Sequence, residues 1–360
     1  MLFLLETSES TGDPPVEIPT DWGLLSNGKR NKHERPFDKN SAACMPIGSS
    51  AAFAFAGISY RTDAGASTYP TIVGADEDII LIGDNRGQRT YGVYQQSTFP
   101  WPGGSRATDN GSIIDNIPFD QTYIVPDSNE NETLSVLMPN AHTIHQFQPA
   151  CHPATNSKIT AWSQGPSIDI YGSNVRGAHG GSGLSGAAFA IKQGELYSND
   201  IHHPMGVNIW AYHYYNVNCT FSWPAKQVDG YCPTGYGGYN PYLRPGALLA
   251  LRSIPTMRTD AGALFARAFY RYGGYCGDDS AANKWGIWMA RSKTGSAVID
   301  FNNKWPELGG FVQNGSSPTN PWYLDMIDIF SNLWIVTNNG PYSIGGGGTP
   351  RVALSPDIGN

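Results

Sequence analysis

The sequence predicts an all-β fold, with β-sandwich or jelly-roll-like layers and two short helices. The 360 residues include 42 glycines and 26 prolines, which favour many tight turns, and aromatic residues make up 12% of the chain. Apolar residues also alternate with period two, as at Phe53 and Phe55 and again at Ile80 and Ile82. We therefore expect short strands joined by turns.

The two helices are predicted from their capping residues. Thr259 or Asp260 caps a helix that ends near Tyr272, before two glycines. Asn320 caps the second helix, and Pro321 occupies its first position.

A central strand is predicted between Val207 and Tyr215. Both sets of alternating side chains in this segment are large, so we expect both faces of the strand to be covered.

The chain is predicted to have two parts. Residues 1–40 are polar, acidic at first and then basic, which is typical of an extended or disordered arm. Such an arm could allow self-association by adding to a neighbour's sheet. Residues 41–360 are predicted to form the β-sandwich-like domain, in one unit or in two abutting layers or subdomains.

Composition excludes several classes of partner and cofactor. The formal net charge is −7, and no lysine or arginine cluster follows the first forty residues, so nucleic acid and anionic membranes are not expected partners. No segment approaches the roughly 20 apolar residues of a membrane helix. Phosphate-binding loops, dinucleotide fingerprints and zinc-finger spacings are also missing from the sequence. We predict no cofactor and no metal site.

The cysteines and asparagines indicate a secreted, extracellular protein. Cys219 and Cys232 are close enough to form a local disulfide, and the other three cysteines could supply one long-range bridge. The Asn-x-Ser/Thr sequons predict glycosylation at Asn110, Asn131, Asn218 and Asn314.

Four residues are candidates for acid/base catalysis. His179, Glu195 and His203 lie in the most polar stretch of the chain, where a glutamate and a histidine flank one turn. Asp278 follows the first helix, at the expected edge of a layer. We expect Glu195, His203 and Asp278 to converge on one concave site.

A second group of residues is predicted to bind a sugar. Aromatic faces stack on sugar rings, and carboxylates hold hydroxyl groups. The candidates are Trp210, Tyr212, Asp229, Tyr275 and Asp279.

Several motifs, in a fixed order, resemble a largely uncharacterised family of secreted microbial β-rich proteins. The motifs are Ala178-His179-Gly180-Gly181-Ser182-Gly183-Leu184-Ser185, Gly194-Glu195-Leu196, Ile201-His202-His203, Val228-Asp229-Gly230-Tyr231, Tyr272-Gly273-Gly274-Tyr275 through Asp278-Asp279, and Asn338-Asn339-Gly340-Pro341 through Arg351. The chain departs from the family pattern at Lys192, at Pro204-Met205 and at Ala282-Asn283. The resemblance implies an extracellular β-rich fold and draws attention to Glu195, His203 and Asp278.

The sequence thus predicts a secreted carbohydrate-active protein that cleaves an extracellular polysaccharide by acid/base chemistry, as a hydrolase or a lyase. Two alternatives remain open at this point. One is a glycan-binding module without catalysis, and the other is a structural surface or filament glycoprotein.

Overall fold

The computed structural model describes residues 23–58, 71–82, 87–101, 103–128, 131–280, 283–314 and 319–359. The strands are β1 (Phe53–Phe55), β2 (Thr71–Leu81), β3 (Thr90–Gln96), β4 (Asp109–Pro118), β5 (Leu134–Leu137), β6 (Thr143–Cys151), β7 (Ile159–Gln164), β8 (Ile168–Asp169), β9 (Arg176–His179), β10 (Met205–Ile209), β11 (Leu248–Leu251), β12 (Gly274–Asp279), β13 (Trp285–Ser292), β14 (Gly295–Ser296), β15 (Gln313–Asn314) and β16 (Leu333–Val336). The α-helices are α1 (Gly186–Phe189), α2 (Ala211–Tyr214), α3 (Cys232–Gly235), α4 (Asp260–Arg271), α5 (Ala297–Lys304) and α6 (Pro321–Ser331). Short 3₁₀ helices lie at Glu195–Ser198, Pro306–Leu308 and Ile344–Gly346.

Fifteen of the sixteen strands, all except β9, form one mixed sheet, which confirms the mainly β prediction. Along its main path the order is β1-β16-β11-β12-β10-β13-β2-β5-β6-β7-β3-β4. The parallel pairs are β10 with β12, β13 with β2, β2 with β5, and β3 with β7. The candidate site lies on the strands β12, β10, β13 and β2, in the middle of this order.

Both faces of the central strands are buried. On one face Val207, Ile209 and Ile287 pack in an apolar cluster that includes residues of α4, α5 and α6. On the other face Trp288 and Ala290 belong to a second cluster, which includes residues of α1. A third cluster covers the β3, β5, β6 and β7 end of the sheet.

The two predicted helices are confirmed as α4 and α6. The Thr259 side chain accepts a hydrogen bond from the backbone N–H of Gly262, and Asn320 accepts one from Tyr323. A third helix of eight residues, α5, was not predicted, although its cap, Ser296, follows the same rule. Its sequence is short and only weakly amphipathic.

The strand predicted from Val207 to Tyr215 is only partly correct. The chain is extended and fully buried through Ile209, but it turns into the single-turn helix α2 at Ala211. The Asp279 carboxylate accepts a hydrogen bond from the backbone N–H of Ala211 at 2.8 Å, and this bond stabilises the first turn of α2.

The prediction of an extended or disordered arm is wrong for residues 23–40. Arg30, Arg35 and Phe37 are buried. The Arg30 guanidinium donates to the backbone carbonyls of Pro356 and Phe37, and the Arg35 guanidinium donates to the Ser355 hydroxyl at 3.2 Å. Residues 1–22 lie outside the described residues.

The predicted disulfide between Cys219 and Cys232 is present, with its Cα atoms 5.7 Å apart. Cys44, Cys151 and Cys276 are buried free thiols, so the suggested long-range bridge does not form. None of the helices in the described part of the chain has the length and apolar character needed to span a membrane.

Asp325 joins α6 to the start of α4 and provides a test of this packing. Its buried carboxylate accepts hydrogen bonds from the backbone N–H groups of Arg258 and Thr259 at 2.8 and 2.9 Å, and from the Thr259 hydroxyl at 2.8 Å. We expect Asp325→Ala to lower the free energy of unfolding by about 2–4 kcal/mol, because buried donors lose their acceptor. Urea denaturation measures this loss.

Asp328 is the matched control, since it also pairs with Arg258 but is exposed. We expect Asp328→Ala to cost less than about 1 kcal/mol. Equal losses in the two variants would contradict this description of the helix junction.

Candidate functional site

The four predicted catalytic residues occupy two separate clusters. The aspartate cluster consists of Asp76, Asp78, His179, Asp229, Asp278 and Asp279. The glutamate cluster consists of Lys192, Glu195, His202 and His203. Within the described residues, no hydrogen bond or ion pair links Asp278 to Glu195 or His203. The three residues therefore do not form the single constellation that we expected.

Alternation along β2 brings Asp76 and Asp78 to the sheet face that also carries Trp288. Asn208 on β10 reaches the same face, where the Trp288 indole N–H donates to its side-chain oxygen at 2.6 Å. His179 ends β9 and lies over Trp288, with ring centroids 3.6 Å apart. The site is thus built on rigid central strands.

His179 is the cation at the centre of the aspartate cluster. Its Nδ1 is 2.7 Å from Asp78 Oδ1, and its Nε2 is 3.1 Å from Asp76 Oδ2. Burial acts to lower the pKa of His179, but the charges of Asp78 and Asp76 outweigh it and raise the pKa well above its usual value. The ring is therefore an imidazolium that donates from both nitrogens.

Asp76 is held as an anion by three donors on one oxygen. Oδ2 accepts from Asn208 at 2.6 Å, from Asn131 at 3.0 Å and from His179 at 3.1 Å. Burial acts to raise the pKa of Asp76, but the charge and hydrogen bond of His179 and the two amides lower it below its usual value. The amide orientations are fixed, since Trp288 donates to the Asn208 oxygen.

Asp278 accepts from the same Asn131 amide as Asp76, but at mildly acidic pH Asp278 is protonated and Asp76 is not. Its Oδ2 accepts from Asn131 at 2.8 Å, and its Oδ1 accepts from the backbone N–H of Gly181 at 2.9 Å. Burial and the neighbouring charge of Asp229 raise the pKa of Asp278 to about 7. Asp278 is thus an acid that still carries its proton near neutral pH.

Two consecutive glycines let Asp278 and Asp229 approach the same turn. A Cβ on Gly180, which has φ of +54°, would lie 2.2 Å from the Asp278 carboxylate, and one on Gly181 would lie 2.3 Å from the Asp229 carboxylate. The Gln148 side chain holds the turn by accepting from the backbone N–H of Gly180 at 3.1 Å. The glycines of the His-Gly-Gly-Ser motif are therefore required by close approach to two carboxyl groups.

Two tyrosines support the outer carboxylates. Tyr236 donates to Asp229 Oδ2 at 2.7 Å, and Tyr231 donates to Asp279 Oδ2 at 2.8 Å. Burial raises the pKa of Asp229, the charge of Asp279 raises it further, and the bond from Tyr236 opposes them.

Exposed aromatic side chains lie next to the cluster. Tyr231 is 47% exposed and Tyr212 is 57% exposed, and the ring centroids of Trp210 and Tyr212 are 5.8 Å apart. Ala211, between these two, bonds to Asp279. Four of the five predicted sugar-binding residues, Trp210, Tyr212, Asp229 and Asp279, therefore lie together.

Tyr275 does not belong to this group. Its ring is buried beside Phe189, and its hydroxyl reaches Asn339 at 3.5 Å. The prediction that Tyr275 contacts substrate is wrong, because the side chain points into the apolar core.

The glutamate cluster has the character of a structural clamp. Glu195 is fully buried and begins a 3₁₀ helix, and it accepts from the backbone N–H groups of Lys192 at 2.9 Å and His202 at 3.3 Å and from the His203 ring at 3.1 Å. Burial acts to raise the pKa of Glu195, but His203 and Lys192 lower it to about 2. Every partner lies within eight residues, so Glu195 and His203 hold a loop together, at some distance from the aspartate cluster.

One of the four predicted glycosylation asparagines has a different position from that expected. Asn131 donates its amide hydrogens to Asp76 and Asp278, so its nitrogen is engaged inside the site. Asn110 and Asn218 are exposed, and glycosylation there stays a prediction. The side chain of Asn314 lies outside the described residues.

Asp76, His179 and Asp278 are also the residues that could hold a metal ion, since one ligand atom from each lies within 4.8 Å of the others. The amide nitrogens of Asn131 and Asn208 donate to these same carboxylate oxygens. A metal would have to displace these donors and the His179 proton, so the donor set fits a hydrogen-bonded acid cluster better.

Five residues of the site were not predicted from the sequence as site residues: Asp76, Asp78, Asn131, Asn208 and Trp288. For Asp76 and Asp78 the sequence did contain a signal. Asp76 and Asp78 lie in the segment Ala75-Asp76-Glu77-Asp78-Ile79, where three consecutive acidic residues precede an apolar run in the same strand. Buried carboxylates on a central strand are costly and indicate a specific partner.

The raised pKa of Asp278 predicts a particular dependence of stability on pH. Between about pH 4 and 7 the folded protein holds a proton on Asp278 that the unfolded chain has released, so this contribution to stability is present at low pH and is lost as pH rises through 7. We expect Asp278→Asn to be less sensitive, with the change in unfolding free energy from pH 5 to pH 8 reduced by about 1–3 kcal/mol. Urea denaturation at the two pH values, compared with wild type, measures this; an equal pH dependence would contradict the protonated state.

Comparisons of this chain with models of protein families, with curated proteins and with solved structures found no match. The candidate site is therefore defined by the geometry of its own residues.

Proposed function

We propose that this protein is a secreted glycoside hydrolase that cleaves an extracellular polysaccharide at the aspartate cluster. The observation that carries the proposal is the protonated Asp278, with a pKa of about 7, beside Asp229 at a glycine turn. Glycosidic cleavage requires a carboxylic acid and a second carboxylate on one bond. The disulfide between Cys219 and Cys232 is consistent with an oxidising, extracellular compartment.

In this proposal Asp278 is the general acid. It gives its proton to the glycosidic oxygen as the bond from the anomeric carbon to that oxygen breaks. Asp229, as a carboxylate, supports attack at the anomeric carbon, either as a nucleophile or by accepting a proton from water. If Asp229 is the nucleophile, it forms a glycosyl ester that water then hydrolyses, and Asp278 takes one proton from that water. If Asp229 is the base, it takes that proton itself, and exchange with solvent returns Asp278 to its acid form and Asp229 to its carboxylate. In both cases water supplies the oxygen and the remaining proton of the new anomeric hydroxyl.

Asp76 and His179 act as positioning residues. Asp76 is fixed as an anion and, with Asp229, raises the pKa of Asp278, while His179 limits that rise. The opposing charges of these neighbours thus place the pKa of Asp278 near neutral pH.

The charges of the site favour hydrolysis over uronate elimination. In the described part of the chain none of Asp76, Asp229 and Asp278 pairs with a lysine or an arginine. A lyase must neutralise the substrate's uronate carboxylate, and these acidic groups would repel it instead. A neutral or amine-bearing sugar suits the cluster better.

We expect Asp278→Asn and Asp229→Asn each to lower kcat/KM by about 100-fold or more, the usual size of a general acid or base contribution. The assay is release of reducing ends from a panel of purified polysaccharides, with absorbance of unsaturated uronates recorded in parallel. Asp328→Asn, an exposed carboxylate on α6, is the control and should retain wild-type activity.

The exposed aromatic side chains next to the cluster give a second candidate, a glycan-binding module without catalysis. Under this alternative Tyr212→Ala and Tyr231→Ala would weaken polysaccharide binding in calorimetry, while no polysaccharide in the panel would yield products. Product formation that survives Asp278→Asn unchanged would reject the proposed role of Asp278.

A further inference from the structure

A cavity lies between the N-terminal segment and the loop that follows α1. It is lined by Arg30, Arg35, Cys44, Lys192 and His202, among others. It leaves about 20 Å³ for the centre of a water-sized sphere, which is room for a single water molecule or a monatomic ion. This cavity is not part of the aspartate cluster.

Two buried cations, Arg30 and Lys192, line this cavity, and neither forms a direct ion pair with a carboxylate among the described residues. Arg30 is 1% exposed, and its guanidinium donates to the carbonyls of Pro356 and Phe37 and to the Cys44 sulfur, with no ion pair among the described residues. Lys192 is also buried, and its ammonium donates to the Ala190 carbonyl. Buried charges in proteins are normally paired, so two unpaired ones at one cavity indicate a missing anion.

The carboxylates near the cavity supply only part of this compensation: the charge of Glu195 acts on Lys192 but makes no direct ion pair with it. Glu195 is paired with the His203 ring at 3.1 Å and is bonded to the backbone of the 192–202 loop. Glu34 lines the cavity but is exposed to solvent, where its charge is screened.

His202 supplies an independent sign of a ligand. Its ring is 2% exposed and lines the cavity, and neither ring nitrogen has a hydrogen-bond partner in the described part of the chain. The Asp200 carboxylate oxygen lies 3.8 Å from Nδ1, beyond hydrogen-bond distance. Burial, with the charge of Arg35, lowers the pKa of His202 to about 4, so the neutral ring has one N–H donor free for a ligand.

We infer that this cavity binds one small monatomic anion, chloride in an extracellular fluid, between Arg30, Lys192 and the His202 ring. The two cations supply the attraction, and the ring supplies a neutral donor. The narrow interior favours a monatomic anion over phosphate or sulfate. The bound anion would connect the N-terminal segment to the loop after α1.

The test compares thermal unfolding of the full chain in sodium chloride with unfolding in sodium gluconate at the same ionic strength. We expect chloride to raise the Tm by about 2–4 °C or more, with saturation as the concentration rises. Equal Tm values in the two salts would overturn the inference.

Lys192→Met should remove the chloride dependence, because it deletes one of the two buried charges. Lys284→Met, at an exposed lysine, is the matched control and should keep it. Bromide soaked into crystals of the wild-type protein provides a measurement that does not depend on variants. An anomalous peak beside Lys192 and His202 is expected, and peaks confined to other sites would overturn the inference.

Discussion

The ion pair of His179 with Asp76 and Asp78 is the interaction on which the rest of the site depends. Two carboxylates two residues apart on a central strand would repel one another in a buried setting, and neither could remain charged without a partner. The imidazolium reaches both of them, and the Trp288 ring supports its face. Small residues are needed around this stack: a Cβ on Gly206 or Gly277 would collide with the Trp288 ring.

The same ion pair explains why the pKa values of the outer carboxyl groups, Asp229 and Asp278, differ from that of Asp76. One imidazolium cannot compensate Asp229 and Asp278 as well, so these outer acids keep protons to higher pH. The cluster therefore holds Asp76 as a fixed anion on its inner side, whereas burial raises the pKa of Asp78 and of the pair Asp229 and Asp278 beside the glycine turn. This separation of pKa values, rather than any single residue, is what makes acid/base chemistry plausible on physical grounds.

How much could be predicted from the sequence depended on whether the signal was local. The caps at Thr259 and Asn320 and the Cys219 to Cys232 spacing are local, and each prediction was confirmed. The partner of Asp278 was not predictable in this way, since Asn131 lies 147 positions away and reaches it only through the order of strands in the sheet. At Glu195 the signal was local but had two possible meanings. A glutamate and a histidine that flank one turn can form a catalytic pair, and they pair equally well to close a loop.

The two clusters are connected through α1, a helix of a single turn. Its first residue, Gly186, packs against Asp78 so closely that a Cβ would lie 2.5 Å from the carboxylate. Its next two residues, Ala187 and Ala188, line the cavity beside Lys192 and His202. An isolated turn of helix has no stability of its own, so its position is set by what lies on either side of it. An anion held beside Lys192 would therefore also hold α1 against Asp78, and through Asp78 it would keep the imidazolium of His179 in place. In this way the packed N-terminal segment contributes to the geometry of a site that it does not touch.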